Sequence, residues 1–504
     1  MKKRIILMSG LLFLAITALY AQNAAENTAT ETSGSPTGPS IEEQRLQIIR
    51  YGTDTEIANL IKILRNEQPS SPPVAIAGPE TKIDKELLAL MEKTKNRTIL
   101  SGIFGYFSDR EIGGLEKRAL AAVKDRDYEA AETVAAAIYY LGKLRAGSSG
   151  AEETVAREAG QVFKDIMNGE ESRFLSVTIR SLGQIGEKYD PAETAEYLMD
   201  YYANHEMGDE NRRLLVAAVG DTKAKEGVSF LVSIAENEDE RAVLRIAAME
   251  ALAKIADVSG LPVLISAVSS KDPNVRASAV GALGPFPGEE ADAVIIEAFR
   301  DSFYRARIAA AKAAGERKLA ASVPFLRFRC ENDEVPAVRD EAVKALGLIG
   351  GKEAEQVLVE LFKERKNNDR IRINAGEMLL TKGSVDYVTD VIIELDEAKK
   401  KNQTALYNGF LRILGEAKSP KLEDLARRFF AAGGVVEKSY ALDFCSRNNF
   451  RGLADEIRKL TDPKNGSLSK KSLALLEEWG LPVTGEPSSP LPALPAPESS
   501  GVVD

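Results

Sequence analysis

Histidine is almost missing: the chain holds one, His205, in "YYANHEMGDE". One imidazole cannot build a zinc site of the His/Cys type, and it lacks the motif context of a Ser/His/Asp hydrolase. Cysteine is nearly as scarce, with only Cys330 and Cys445, 115 residues apart. There is no "GxxxxGK[ST]" phosphate loop. Beyond the N-terminus there is no run of about 18 apolar residues that would span a membrane. Aromatics make up 6% of the chain against 44% hydrophobic residues, so the core must be built from Leu, Ile, Val and Ala. Cations are in deficit as well. A net charge of -10 gives no counterion-release affinity for nucleic acid or anionic membranes.

What is present is arrangement. The start, "MKKRIILMSGLLFLAITALYAQ", sets three cations before an apolar run and small residues, the layout of a secretory signal peptide over 1–21. Cleavage after Ala21 and export to the periplasm or cell envelope are expected; a leader left uncleaved would be a membrane anchor. Residues 22–40 and 69–82 are polar or Pro-marked linkers, flanking a short helical segment at 41–68 broken at Gly52. The end, 481–504, is a Pro-rich disordered tail. Its "LPVTG" is followed by no apolar segment and no cation, so it makes no sortase signal.

Between the linkers and the tail one motif returns, as in "DPNVRASAVGALG" (272–284). Aligned on its arginine, it gives Arg212, Arg245, Arg276, Arg307, Arg339 and Arg372, at spacings of 33, 31, 31, 32 and 33. Three residues on stands Ala in five of the copies, and six on stand Ala251, Ala282, Ala313 and Ala345, then Met378. Eight on stand Gly220, Ala253, Gly284, Gly315, Gly347 and Leu380. A period near 32 with two helical stretches per unit predicts stacked helix pairs. Small residues on one face let neighbouring helices approach. The glycine is expected to take the left-handed backbone that ends a helix. Asp272 before Pro273 reads as an N-cap with a first-turn proline. The arginine is expected to pair with an acidic turn residue or helix-end carbonyls of the next unit.

The stretches "GLPVLISAVSSKDPNVRASAVGALG" and "VPAVRDEAVKALGLIGGKEAEQVLVELF" resemble HEAT repeats of the short type also seen in phycobilin lyases. The resemblance is regular over 205–395 and degenerate over 83–204 and 396–480. It implies an all-α, right-handed solenoid of about ten to twelve helix pairs. It also implies a scaffold, because most such proteins bind partners. The hydroxylases of this fold need several His-Glu pairs for a di-iron centre, and only His205–Glu206 is present. Nothing marks a bilin pocket, and the acidic balance disfavours the basic groove of the glycosylase type. No catalytic residue, cofactor or metal is therefore assigned. In a regular array the two cysteines, three to four repeats apart, stand well beyond the roughly 7 Å a disulfide spans, so free buried thiols are expected.

In HEAT arrays the second helix lines the concave side. Five residues after each anchor stand Ala217, Glu250, Gly281, Lys312, Lys344 and Glu377, on the face turned away from the packing. Their mixed signs suit a protein partner rather than a phosphate track, and a plain solvated ridge explains them equally. Phe303 and Tyr304, in "DSFYRAR", fall in a turn between paired helices. They are either an exposed hot spot or packing against a neighbouring turn. The resulting expectation is a non-catalytic protein-binding scaffold of the envelope. Two alternatives stand beside it. One is a small-molecule binder or enzyme with a deep polar pocket; the other is a self-associating structural element.

Overall fold

The computed structural model describes residues 40–67, 81–144, 150–169 and 172–483. The expected leader, most of both linkers and nearly all of the Pro-rich tail lie outside those residues. Within them the chain is all-α, with no strand, and runs as successive antiparallel helix pairs. It forms the expected solenoid, divided into two compact units.

The smaller unit comprises residues up to Leu115 together with Ala130–Ala136. Its described part includes two stacked pairs, Ile41–Tyr51 with Asp54–Asn66 and Lys82–Met91 with Arg97–Asp109. The second pair repeats the first one layer on. Gly102 lies against Ile61, and Arg65 bonds Asp109 at 2.7 Å. Thr53 and Thr81 start their helices with reciprocal caps to Glu56 and Asp84.

The larger unit comprises Glu116–Glu129 and the chain from Ala137 onward. Its regular part consists of first helices such as Val228–Glu236, Leu261–Ala267, Glu289–Glu297 and Val323–Asn332. These alternate with second helices Asp209–Asp221, Ala242–Ile255, Pro273–Ala282, Tyr304–Glu316, Pro336–Ile349 and Asp369–Lys382. Consecutive second helices pack closely on one another, while consecutive first helices barely meet.

The repeated small residues explain that spacing. A Cβ on Gly220 would stand 2.5 Å from the Cβ of Ala251, and one on Gly315 would stand 3.0 Å from the Cα of Ala345. On Gly347 it would meet the Met378 sulfur at 2.7 Å. The glycine eight residues after one arginine therefore crosses the residue six after the next. This corrects the expected role of the glycine: it is a point of close approach, not the left-handed helix end. The left-handed residue comes three positions later, at Lys223, Ala256, Lys318 and Gly350, with φ of 55°, 55°, 53° and 63°. At Lys318 the helix closes in the Schellman manner, Leu319 N–H donating to the Ala314 carbonyl at 2.9 Å. The Asp272 cap is as read, accepting from Asn274 N–H at 2.8 Å with Pro273 in the first turn.

Candidate protein-binding surfaces

The anchor arginines form a ladder between adjacent repeats. Arg276 grips Asp301 with Nε and Nη2 at 2.9 and 3.0 Å. Arg307 grips Asp333 in the same two-pronged way at 2.7 and 2.8 Å. Both aspartates lie in the turn of the following unit. Arg212 reaches Glu240, also in the following turn, at 2.9 Å. Arg372 reaches Glu394, in the next first helix, at 2.6 Å. The carbonyl partners differ from expectation, because they belong to the arginine's own unit. Arg276 Nη1 donates to Ser270 O, Arg307 Nη1 to Asp301 O and Arg339 Nη1 to Asp333 O. The reason is geometric: the arginine leaves the first turn of its helix directly beneath the loop that precedes it.

Each turn aspartate thus accepts from the preceding arginine through its carboxylate and from its own through its backbone oxygen. The hydrogen bonds from Arg276, working against burial, hold the Asp301 carboxyl below the ordinary carboxylate range. Burial works to raise Asp333. The hydrogen bonds from Arg307 and the Val335 N–H, with the charges of Arg307 and Arg329, outweigh it and keep that carboxyl low as well.

The ladder has two open rungs. Arg339 has no acid among the described residues; Lys366 stands where the aspartate would be. Arg245 has none either. Ser270 occupies its turn position, and its Nε donates instead to Ala235 O at 3.0 Å.

The ridge residues are placed as follows. Glu250, Gly281, Lys312 and Lys344 are exposed on successive second helices. Lys312 and Lys344 have only loose neighbours, Glu316 at 3.9 Å and Glu341 at 3.7 Å. Ala217 is half-buried. Glu377 is half-buried too and tied to Arg412 of the next second helix at 2.9 Å, so it braces the array. Phe303 and Tyr304 are half-buried and packed edge to face at 5.4 Å, with Arg305 Nε donating to the Tyr304 hydroxyl. His205 ends the helix Pro191–Asn204, its ring stacked on Tyr201 at 3.9 Å. Both cysteines are buried and unpaired, and burial pushes the Cys445 thiol up to about 12.

One surface was missed by sequence reasoning. On the first helix Val323–Asn332, Val323, Leu326 and Cys330 face the core, while Phe325 and Phe328 fall on the outer side. Phe325 stacks on Phe299 at 6.1 Å, Arg300 lies over Phe325 and Arg329 over Phe328. Its trace in the sequence is "PFLRFR", two phenylalanines interleaved with arginine.

Among the described residues no cluster of metal-binding side chains occurs, and no helix is long and apolar enough to cross a membrane. No curated protein matches the sequence. Among solved structures, the chain is similar to Kap121p bound to the extreme C-terminus of the protein phosphatase Cdc14p. That match has 12% identity and a TM-score of 0.40, covering 93% of this chain and 56% of that one. Kap121p bound to Nup53p matches at 12% identity and a TM-score of 0.40, over 88% and 54%. The Escherichia coli protein YibA matches at 15% identity and 0.30, over 64% and 95%. The chain spans about half the length of the Kap121p chains. The family model for the spirochaete HEAT repeat protein matches residues 49–475, nearly the whole helical array, and the chain belongs to that family.

Proposed function

We propose that this protein is a non-catalytic scaffold, exported to the bacterial cell envelope, that holds another protein along its second-helix face. The observation that carries this is the ridge. Closely packed second helices present Glu250, Lys312 and Lys344 at corresponding positions, exposed and of opposite signs. Closely set rigid helices hold such side chains in place without a further ordering cost, as a binding face needs. The ladder and the glycine crossings serve that rigidity. Export rests on the leader pattern; the mature protein is expected to begin at Gln22, which the N-terminal peptide mass from cells would check.

The test is crosslinking in cells. A photo-crosslinking residue is placed at Lys312 or at Lys344, with a control at Glu353 on a first helix. One discrete envelope protein captured from the ridge and not from the control is the expected result. Equal capture from all three, or none, would remove the second-helix face as the binding surface.

A further inference from the structure

Arg245 and Arg372 hold the same posture. Each donates from Nε to the carbonyl ten residues earlier, Arg245 to Ala235 at 3.0 Å and Arg372 to Phe362 at 2.9 Å. Arg372 then binds a carboxylate through Nη2, that of Glu394, 22 residues on, at 2.6 Å. The residue 22 positions after Arg245 is Ala267, and no carboxylate bonds Arg245 among the described residues. A cavity of about 560 Å³ opens at that point, lined by Arg245, Val263, Ser266, Ala267 and Ser270 among others. Its size falls within the roughly 300–1,000 Å³ of ligand pockets.

We infer that this cavity is a receptor for a single carboxylate, which takes the place on Arg245 that Glu394 takes on Arg372. The chemistry is a charge-assisted hydrogen bond from a guanidinium whose Nη groups bond no other residue among the described ones. The serines add hydroxyl donors beside it.

The rim decides which anion enters. Glu236, Glu238, Glu240 and Asp272 line it, against Lys271 and Arg245. Glu240 is committed to Arg212 and to the Arg241 N–H, and Asp272 caps its own helix. These carboxylates repel a multiply charged ion such as phosphate. A lone carboxylate tolerates them, whether it is an Asp or Glu side chain on a protein or a small free acid. The inference is independent of the ridge, since it involves a different face and a different test.

The full chain, labelled with nitrogen-15, is observed at the Arg245 Nε resonance, assigned by its loss in Arg245→Gln. Three probes are added: a short N-acetylated, C-amidated Gly/Ser peptide with one glutamate, its glutamine counterpart capped in the same way, and acetate. A saturable shift with the glutamate peptide, at least about tenfold weaker with the glutamine one, is expected. A saturable shift with acetate and none with the peptide would assign the site to small free acids. Ala267→Glu should place a carboxylate on Arg245 internally, shift the resonance without probe and block both. Should that variant not fold, anisotropy of the labelled glutamate peptide with Arg245→Gln gives the same answer, with binding at least about tenfold weaker. An Arg245 resonance unmoved by every probe, or glutamate and glutamine peptides that bind alike, overturns the inference.

Discussion

Residues 205–395 and 396–480 stack helices in the same way with different materials. In the first stretch second helices cross through Gly and Ala, and at several junctions an arginine clips one unit to the next. In the second the space is filled by rings. Phe410, Phe429 and Phe444 are buried, Tyr440 lies against Gly415, and Trp479 closes the array. There Arg447 reaches back to Gly415 O and Glu416. The comparison teaches that a helix pair stacks when the volume between units is filled. The repeat motif is one way of filling it.

The largest test of that difference is at the buried clip. Arg307→Ala takes away the two-pronged partner of Asp333, whose side chain is fully buried, leaving Arg329 at 3.3 Å as its remaining counter-charge, and should cost about 3 kcal/mol in denaturant unfolding. The double change Arg307→Met with Asp333→Leu should recover most of it, bringing this rung close to the apolar C-terminal style. If the double variant is as unstable as the single, the ladder is a specific requirement and the comparison fails.

Close approach comes next. Gly220→Leu drives a side chain into the Ala251 backbone and should cost about 1–3 kcal/mol or more. Gly415→Ala meets only the edge of the Tyr440 ring, at 3.2 Å, and should cost less than about 1 kcal/mol. Equal midpoint shifts in urea would erase the distinction between crossings made by backbone and crossings made by rings.

Acid sharpens it further. The folded Asp301 and Asp333 titrate below their unfolded values. Their contribution is therefore present above about pH 4 and is lost as pH falls through the folded values. Asp333→Asn should flatten the fall in melting temperature over that acid range. An unchanged slope would show that the ladder carboxyls do not set acid stability.

The smallest effect is a gain. Ala256 sits in the left-handed region at φ 55°, so Ala256→Gly should stabilise by about 0.5–1 kcal/mol. Thermal unfolding of the single variant is the check, and a loss would mean that the Ala256 methyl is needed there.

Much of this array was legible in the chain. The period, the cap at Asp272 and the clip from arginine to the next unit's acid follow from residue type and spacing. The glycines were misread because a small residue near a helix end serves two ends, backbone freedom or close approach. Only the neighbouring helix, at Ala251 or Ala345, tells them apart. The outer pair Phe325 and Phe328 was hidden by their helix, whose apolar residues surround it too evenly to show one stripe. The open rung at Arg245 was written in plain sight, as Ser270 where Asp301 and Asp333 stand in later copies, yet the cavity beside it shows only in the structure.

The ladder also has a direction. Each anchor arginine from Arg212 to Arg307 that finds an acid finds it C-terminal to itself. A chain cut short from the C-terminal side would end on a guanidinium that has lost its counter-charge in a half-covered site. A chain cut short from the N-terminal side would end on a turn carboxylate that water can solvate. The two ends of this array are therefore unequal as stopping points, and a nascent array that halts after any such arginine is left waiting for its next repeat.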